Sequence, residues 1–73
     1  MPEYLNVLFP EPRDVLINGE INGQTNTLLE LEEGGYYMVS LAPPPDFTPE
    51  QQPVDLQDTC MATPKEIEFK KKN

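Results

Sequence analysis

The sequence predicts an all-β domain, a small and mainly antiparallel β-sandwich, and three observations lead there. Apolar residues recur with a period of two, nine prolines are scattered through 73 residues, and an Asn-Gly pair follows a β-branched run. Period two marks a half-buried strand. Proline is excluded from helix interiors and central strands. Asn-Gly between apolar runs is the strongest short-range hairpin signal. A chain of this length makes one domain, residues 1–73, near the lower limit for a core unsupported by metals or disulfides.

Tyr4 to Phe9 is rich in β-favouring residues and stops at Pro10-Glu11-Pro12, so it reads as a short strand or extended arm. Val15, Leu16 and Ile17 then run into Asn18-Gly19. A type I′ turn there, with positive φ at both central residues, places Ile17 opposite Glu20 and Leu16 opposite Ile21. The second pair, Asn22-Gly23, follows too soon for another hairpin and predicts a bulge or bend. Thr27 to Leu31 alternates, with Leu29 and Leu31 on one face, and Glu32 to Gly35 turns the chain.

Tyr36 to Leu41 is the most strand-like stretch, with Tyr37, Val39 and Leu41 on one side and Tyr36, Met38 and Ser40 on the other. Three prolines end it. Thr48-Pro49-Glu50-Gln51 carries helix-start signals, so at most one short helical turn is expected near residues 48–52. Val54 to Leu56 is a candidate for brief pairing, and Ile67 and Phe69 mark a last half-buried strand. The predicted core is Val15, Ile17, Leu29, Leu31, Tyr37, Val39, Leu41, Ile67 and Phe69. The Pro43–Pro64 excursion is expected to lie down on the sheet, with Phe47 and Leu56 covering the Tyr36–Met38 face.

Charge excludes several partners. Net charge is −8, and it is unevenly spread. The first 64 residues hold eleven acids against Arg13 alone, a balance of −10, whereas the last nine hold four lysines against two glutamates, a balance of +2. An acidic body repels nucleic-acid phosphates and anionic membranes. Lys70, Lys71 and Lys72 read as a solvated end that discourages edge pairing. The sequence contains no stretch long and apolar enough for a membrane span, and its start lacks the basic region of a signal peptide. The chain is expected to be cytoplasmic if complete, or part of an envelope or extracellular protein if a segment.

Chemistry finds little material. With no histidine and a single serine, Ser40, a Ser–His or Cys–His arrangement cannot be built. Cys60 has no cation beside it in the sequence and reads as a small, partly buried apolar residue. Asp55 with Asp58, or Glu30 with Glu32, are formal acid–base pairs, but acids in so acidic a chain are usually solvated. A calcium loop over Asn18, Glu20, Asn22 and Gly23 fails because its twelfth position is Leu29 where a glutamate is needed. The expectation is no enzyme, no cofactor and no metal.

At "INGEINGQT" followed by "LLELEEGGYYMVSL" the chain resembles the PEGA domain. That family's repeat runs as a hydrophobic strand, Asp-Gly or Asn-Gly, three residues, Gly, one residue and Thr-Pro, then a leucine-rich strand, a turn and a Tyr/Val strand. The matching positions are Ile17, Asn18, Gly19, Gly23, Thr25, Leu29, Leu31, Gly35, Tyr37 and Val39, within residues 13–42. Asn26 stands where the family has proline, and Glu33-Gly34 or Gly34-Gly35 replaces its Pro-Gly turn. The resemblance implies a compact β-sandwich without catalytic residues. It also implies a structural or adhesive role, typically on bacterial or archaeal envelope proteins.

The expected function is therefore a non-enzymatic structural or protein-interaction module that contacts another protein, or itself, through a sheet face or edge. Candidate contact residues are Tyr36, Met38, Asn18, Glu20 and Asn22. The alternative is a carbohydrate- or calcium-binding module using the 18–26 loop and an outward Tyr36.

Overall fold

In a computed structural model that describes residues 2–72, the chain is all-β, with no helix among the described residues. Nine strands run in order: β1 (Glu3–Leu8), β2 (Asp14–Ile17), β3 (Glu20–Gln24), β4 (Leu28–Leu31), β5 (Gly35–Leu41), β6 (Phe47–Thr48), β7 (Gln52–Leu56), β8 (Lys65–Glu68) and β9 (Lys70–Lys71). They form a three-stranded sheet β4-β1-β8, a four-stranded sheet β3-β2-β5-β7 and a two-stranded piece β6-β9. All pairings are antiparallel except β1 with β8.

The β2–β3 hairpin turns on Asn18 and Gly19, at φ 51° and 86°, and pairs Ile17 with Glu20 and Leu16 with Ile21 as the turn type requires. The register then shifts, because Asp14 pairs with Gln24. The extra residue falls at Asn22-Gly23, with Gly23 at φ 97°, so the second Asn-Gly pair is a bulge. A Cβ on Gly23 would lie 2.3 Å from Leu29 Cδ2, which shows how closely β4 packs on the bulge.

One core is built from the inward residues of both larger sheets: Leu5 and Val7 of β1, Leu29 and Leu31 of β4, and Val15, Ile17, Val39, Leu41, Val54 and Leu56 opposite them. The arrangement is consistent with a small sandwich. Phe9, Phe47 and Phe69 fill one end, with Phe47 edge-on to the other two rings at 6.4 and 5.7 Å. Every residue of the predicted core is buried, apart from Tyr37 and Ile67, which are partly buried against it.

Of the two readings of residues 4–9, the structure has the strand: β1 is the central strand of its sheet, with Leu5, Val7 and Phe9 buried. No helical turn forms near 48–52, which stays within the limit of at most one: Thr48 is extended and pairs with Lys70. Other expectations need correction. The excursion does dock, but on the other side of the sheet. β7 pairs with β5 from Gly35↔Leu56 to Val39↔Gln52, which sets Val54 beside Tyr37 on the core face. Phe47 and Leu56 are thus buried in the core, and they leave Tyr36 78% and Met38 39% exposed. Cys60 is exposed in a tight turn, where its Sγ lies 3.0 Å from Thr63 Oγ1 and that contact pushes its pKa down.

Candidate functional site

The two ends of the strands differ, and the hairpin end holds the candidate site. β3 is the edge of its sheet, and all five of its residues are exposed. Leu29 holds the bulge against β4, but beyond it the hairpin leaves an open cleft of roughly 380 Å³. Its lining comes from Ile17, Asn18, Glu20, Ile21, Asn22, Leu31 and Tyr37. Ile17 and Leu31 belong to the buried core, so the cleft is the place where the core opens towards solvent.

Backbone pairing explains who meets whom. A side chain shares a sheet face with its cross-strand partner, so Glu20 lies on the core side with Ile17. Tyr37 shares that side, since it flanks Val39, the partner of Ile17, at the second position along β5. Tyr36 and Met38 point the other way. Of the five candidate residues, the structure brings Asn18, Glu20 and Asn22 together in the cleft. It places Tyr36 and Met38 on the opposite face, beside Leu16 and the exposed edge of Ile21. The tyrosine that the 18–26 loop meets is Tyr37, whose hydroxyl donates to the Glu33 carbonyl at 2.6 Å and fixes the ring.

Asn18 works for the fold as well. Its backbone N–H donates to the Met38 carbonyl at 2.8 Å and its Oδ1 accepts from the Met38 N–H at 2.9 Å. The side chain thereby continues the β2–β5 ladder one step past Ile17. Asn26 does the same at the other end: its Oδ1 accepts from Phe9 N–H and its Nδ2 donates to the Phe9 carbonyl. The amide oxygen that a calcium loop would use at Asn18 is thus already engaged. Among the described residues no three His, Cys, Asp or Glu side chains gather as a metal site.

The cleft's polar character is one-sided. Of its lining residues only Glu20 is charged, and it shares its side of the sheet with Ile17 and Tyr37. Glu3, the β1 partner of Leu31, is buried, accepts from Thr59 N–H at 3.0 Å and from Thr59 Oγ1 at 2.9 Å, and is held below the usual carboxylate range by those bonds. Such a site can take up an apolar body with a polar or cationic end. No helix of the described residues is long and apolar enough to cross a membrane.

Sequence reasoning named the polar half of this site and missed Ile17, Leu31 and Tyr37 as its walls. The signal was present: the Ile17–Glu20 pairing together with the parity of Tyr37 and Val39 already sets Glu20 and Tyr37 on one face. No family model matches the chain, and neither the curated proteins nor the solved structures yield a match.

Proposed function

We propose that the chain is a non-enzymatic module that contacts another polypeptide, PEGA-like in build, with the hairpin end as its docking end. The observation that carries this reading is the cleft, an opening of the core beside an exposed edge strand. An exposed edge offers backbone N–H and C=O groups to an added strand, and a neighbouring apolar pocket supplies side-chain selectivity. The PEGA resemblance is supported by the hairpin on Asn18-Gly19, the bulge at Gly23, and the joint core of Leu29, Leu31 and Val39. It is weakened at Asn26, which sits at φ 62° and donates its N–H to the Val7 carbonyl at 2.7 Å. Proline can do neither. Membership of a bacterial envelope protein belongs to the same proposal.

A second reading has one observation in its favour: an aromatic wall, Tyr37, beside the side chains of Asn18, Glu20 and Asn22, a mixture suited to a sugar ring. Selection of binders from a random peptide display library separates the two. Enriched peptides that lose binding on Ile21→Ser support the protein module. Enrichment of peptides indifferent to every hairpin substitution rejects it. Saturable amide shifts confined to residues 18–26 with a glycan or calcium ions, and no peptide binder, would move the assignment to the second reading.

A further inference from the structure

Resting on that reading, we infer that the cleft receives a lysine or arginine side chain of the partner, stem down and charged end at Glu20. The shape of the lining is the first reason. Ile17 and Leu31, buried in the core, and the half-buried Tyr37 give the lining its apolar part, and the exposed Glu20 and Asn22 of β3, with Asn18 of the turn, give it its polar part. Lysine and arginine have that sequence of chemistry along their length, an aliphatic stem followed by a cation. A purely apolar occupant would strip water from Glu20 without replacing its hydrogen bonds, which costs free energy. An acidic occupant would be repelled. The tyrosine face also suits a cation, and a guanidinium stacks on it better than an ammonium.

The charge distribution is the second reason, and it acts at longer range. Arg13 and Lys71 are both held at the opposite end of the strands by Glu11 and Asp46. No lysine or arginine lines the cleft, and the whole chain carries a net −8. The field at the hairpin end is therefore negative and steers cations towards it. The same field argues against a second copy of this chain, which would bring another net −8 to the interface. The occupant is a basic segment of a different polypeptide.

The test uses the whole chain, labelled with ¹⁵N, titrated with short capped peptides Val-X-Val in which X is arginine, lysine, norleucine or glutamate. Arginine and lysine peptides should give saturable shifts centred on Ile17, Glu20, Leu31 and Tyr37. The norleucine peptide should bind about tenfold more weakly, the scale of one charge-assisted hydrogen bond. The glutamate peptide should not bind. Raising salt should weaken the cationic peptides alone. In Glu20→Gln the advantage of arginine over norleucine should disappear. Equal binding of norleucine and arginine by the unsubstituted chain overturns the cationic preference and leaves a docking cleft standing. Shifts centred on Tyr36 and Met38, or none with any peptide while display selection finds a binder, overturn the assignment of the cleft itself.

Discussion

The end of the molecule around Arg13 and the end around the Asn18-Gly19 hairpin are made from the same strands, yet one is closed and the other open. At the closed end the Arg13 side chain is 11% exposed and donates to the Ala42 and Pro44 carbonyls at 3.0 Å each, and to Glu11 and Asp46 at 3.1 and 3.2 Å. Lys71 bridges the same two acids, and both cations lie over the Phe9 ring. Thr25 adds two more bonds, accepting from Arg13 N–H and donating to the Glu11 carbonyl. This network gathers the first loop, the excursion after β5 and the last strand over the three phenylalanines. At the hairpin end no comparable side-chain network crosses from β3 to β4 among the described residues. The difference teaches where order is stored and where the core is left open to solvent.

Substitutions break the comparison in a definite order. Phe47→Ala, in the ring cluster of the closed end, should cost about 3–5 kcal/mol by denaturant unfolding, as for other buried aromatics. A change near zero would mean that the excursion is not docked. Gly23→Ala, at the seam between the two ends, forces a Cβ onto Leu29 at a positive φ. It should destabilise by roughly 1–3 kcal/mol and alter the amide shifts of β3 and β4 together.

Charge substitutions and pH sharpen the comparison further. Arg13→Met should lower the melting temperature more than Lys71→Met, since the Lys71 side chain is 44% exposed. Hydrogen bonds from Lys71 and Arg13 hold Glu11 and Asp46, respectively, below their usual pKa values, as Thr59 does Glu3. A carboxyl depressed on folding stabilises fully above its unfolded pKa and loses that contribution as pH falls through the folded value. The melting-temperature gap between the unsubstituted chain and Glu3→Gln should thus be full near neutrality and close as pH drops below about 4. A gap unchanged at acid pH would contradict the Thr59 contacts. The smallest effect belongs to the open end: Glu20→Gln should leave stability within about 0.5 kcal/mol, read by the same unfolding curve.

The halves were unequally legible in the sequence. The hairpin, its register and the bulge could be read because they depend on local chemistry, Asn and Gly at positions needing positive φ. The alternation of Leu29, Leu31, Val39 and Leu41 named their core face for the same local reason. What stayed hidden depends on long-range pairing. Nothing near residues 4–9 announces a parallel partner sixty residues away, yet Val7 pairs with Ile67. The side of the sheet taken by Phe47 and Leu56 follows from β7 joining β5 as a strand, which a proline-rich stretch disguises because Pro53 is tolerated there only by an edge position. The site was half legible because Glu20 and Tyr37 meet only when two separate parity arguments are combined.

The bond between the Asn18 side chain and the Met38 backbone bears on how the protein ages. Asparagine before glycine converts to aspartate or isoaspartate when the glycine nitrogen attacks the side-chain Cγ. Ammonia then leaves, and water opens the resulting ring. Asn18-Gly19 has the reactive sequence, but its amide oxygen is tied to Met38 N–H and its backbone is set by the turn. Asn22-Gly23 has the same sequence on an exposed edge, where Asn22 has no side-chain partner among the described residues. On prolonged incubation at mildly alkaline pH, peptide mapping should find the acid at position 22 well before position 18. The new carboxylate would then stand in the cleft beside Glu20, so an old preparation should hold a basic partner more tightly than a fresh one.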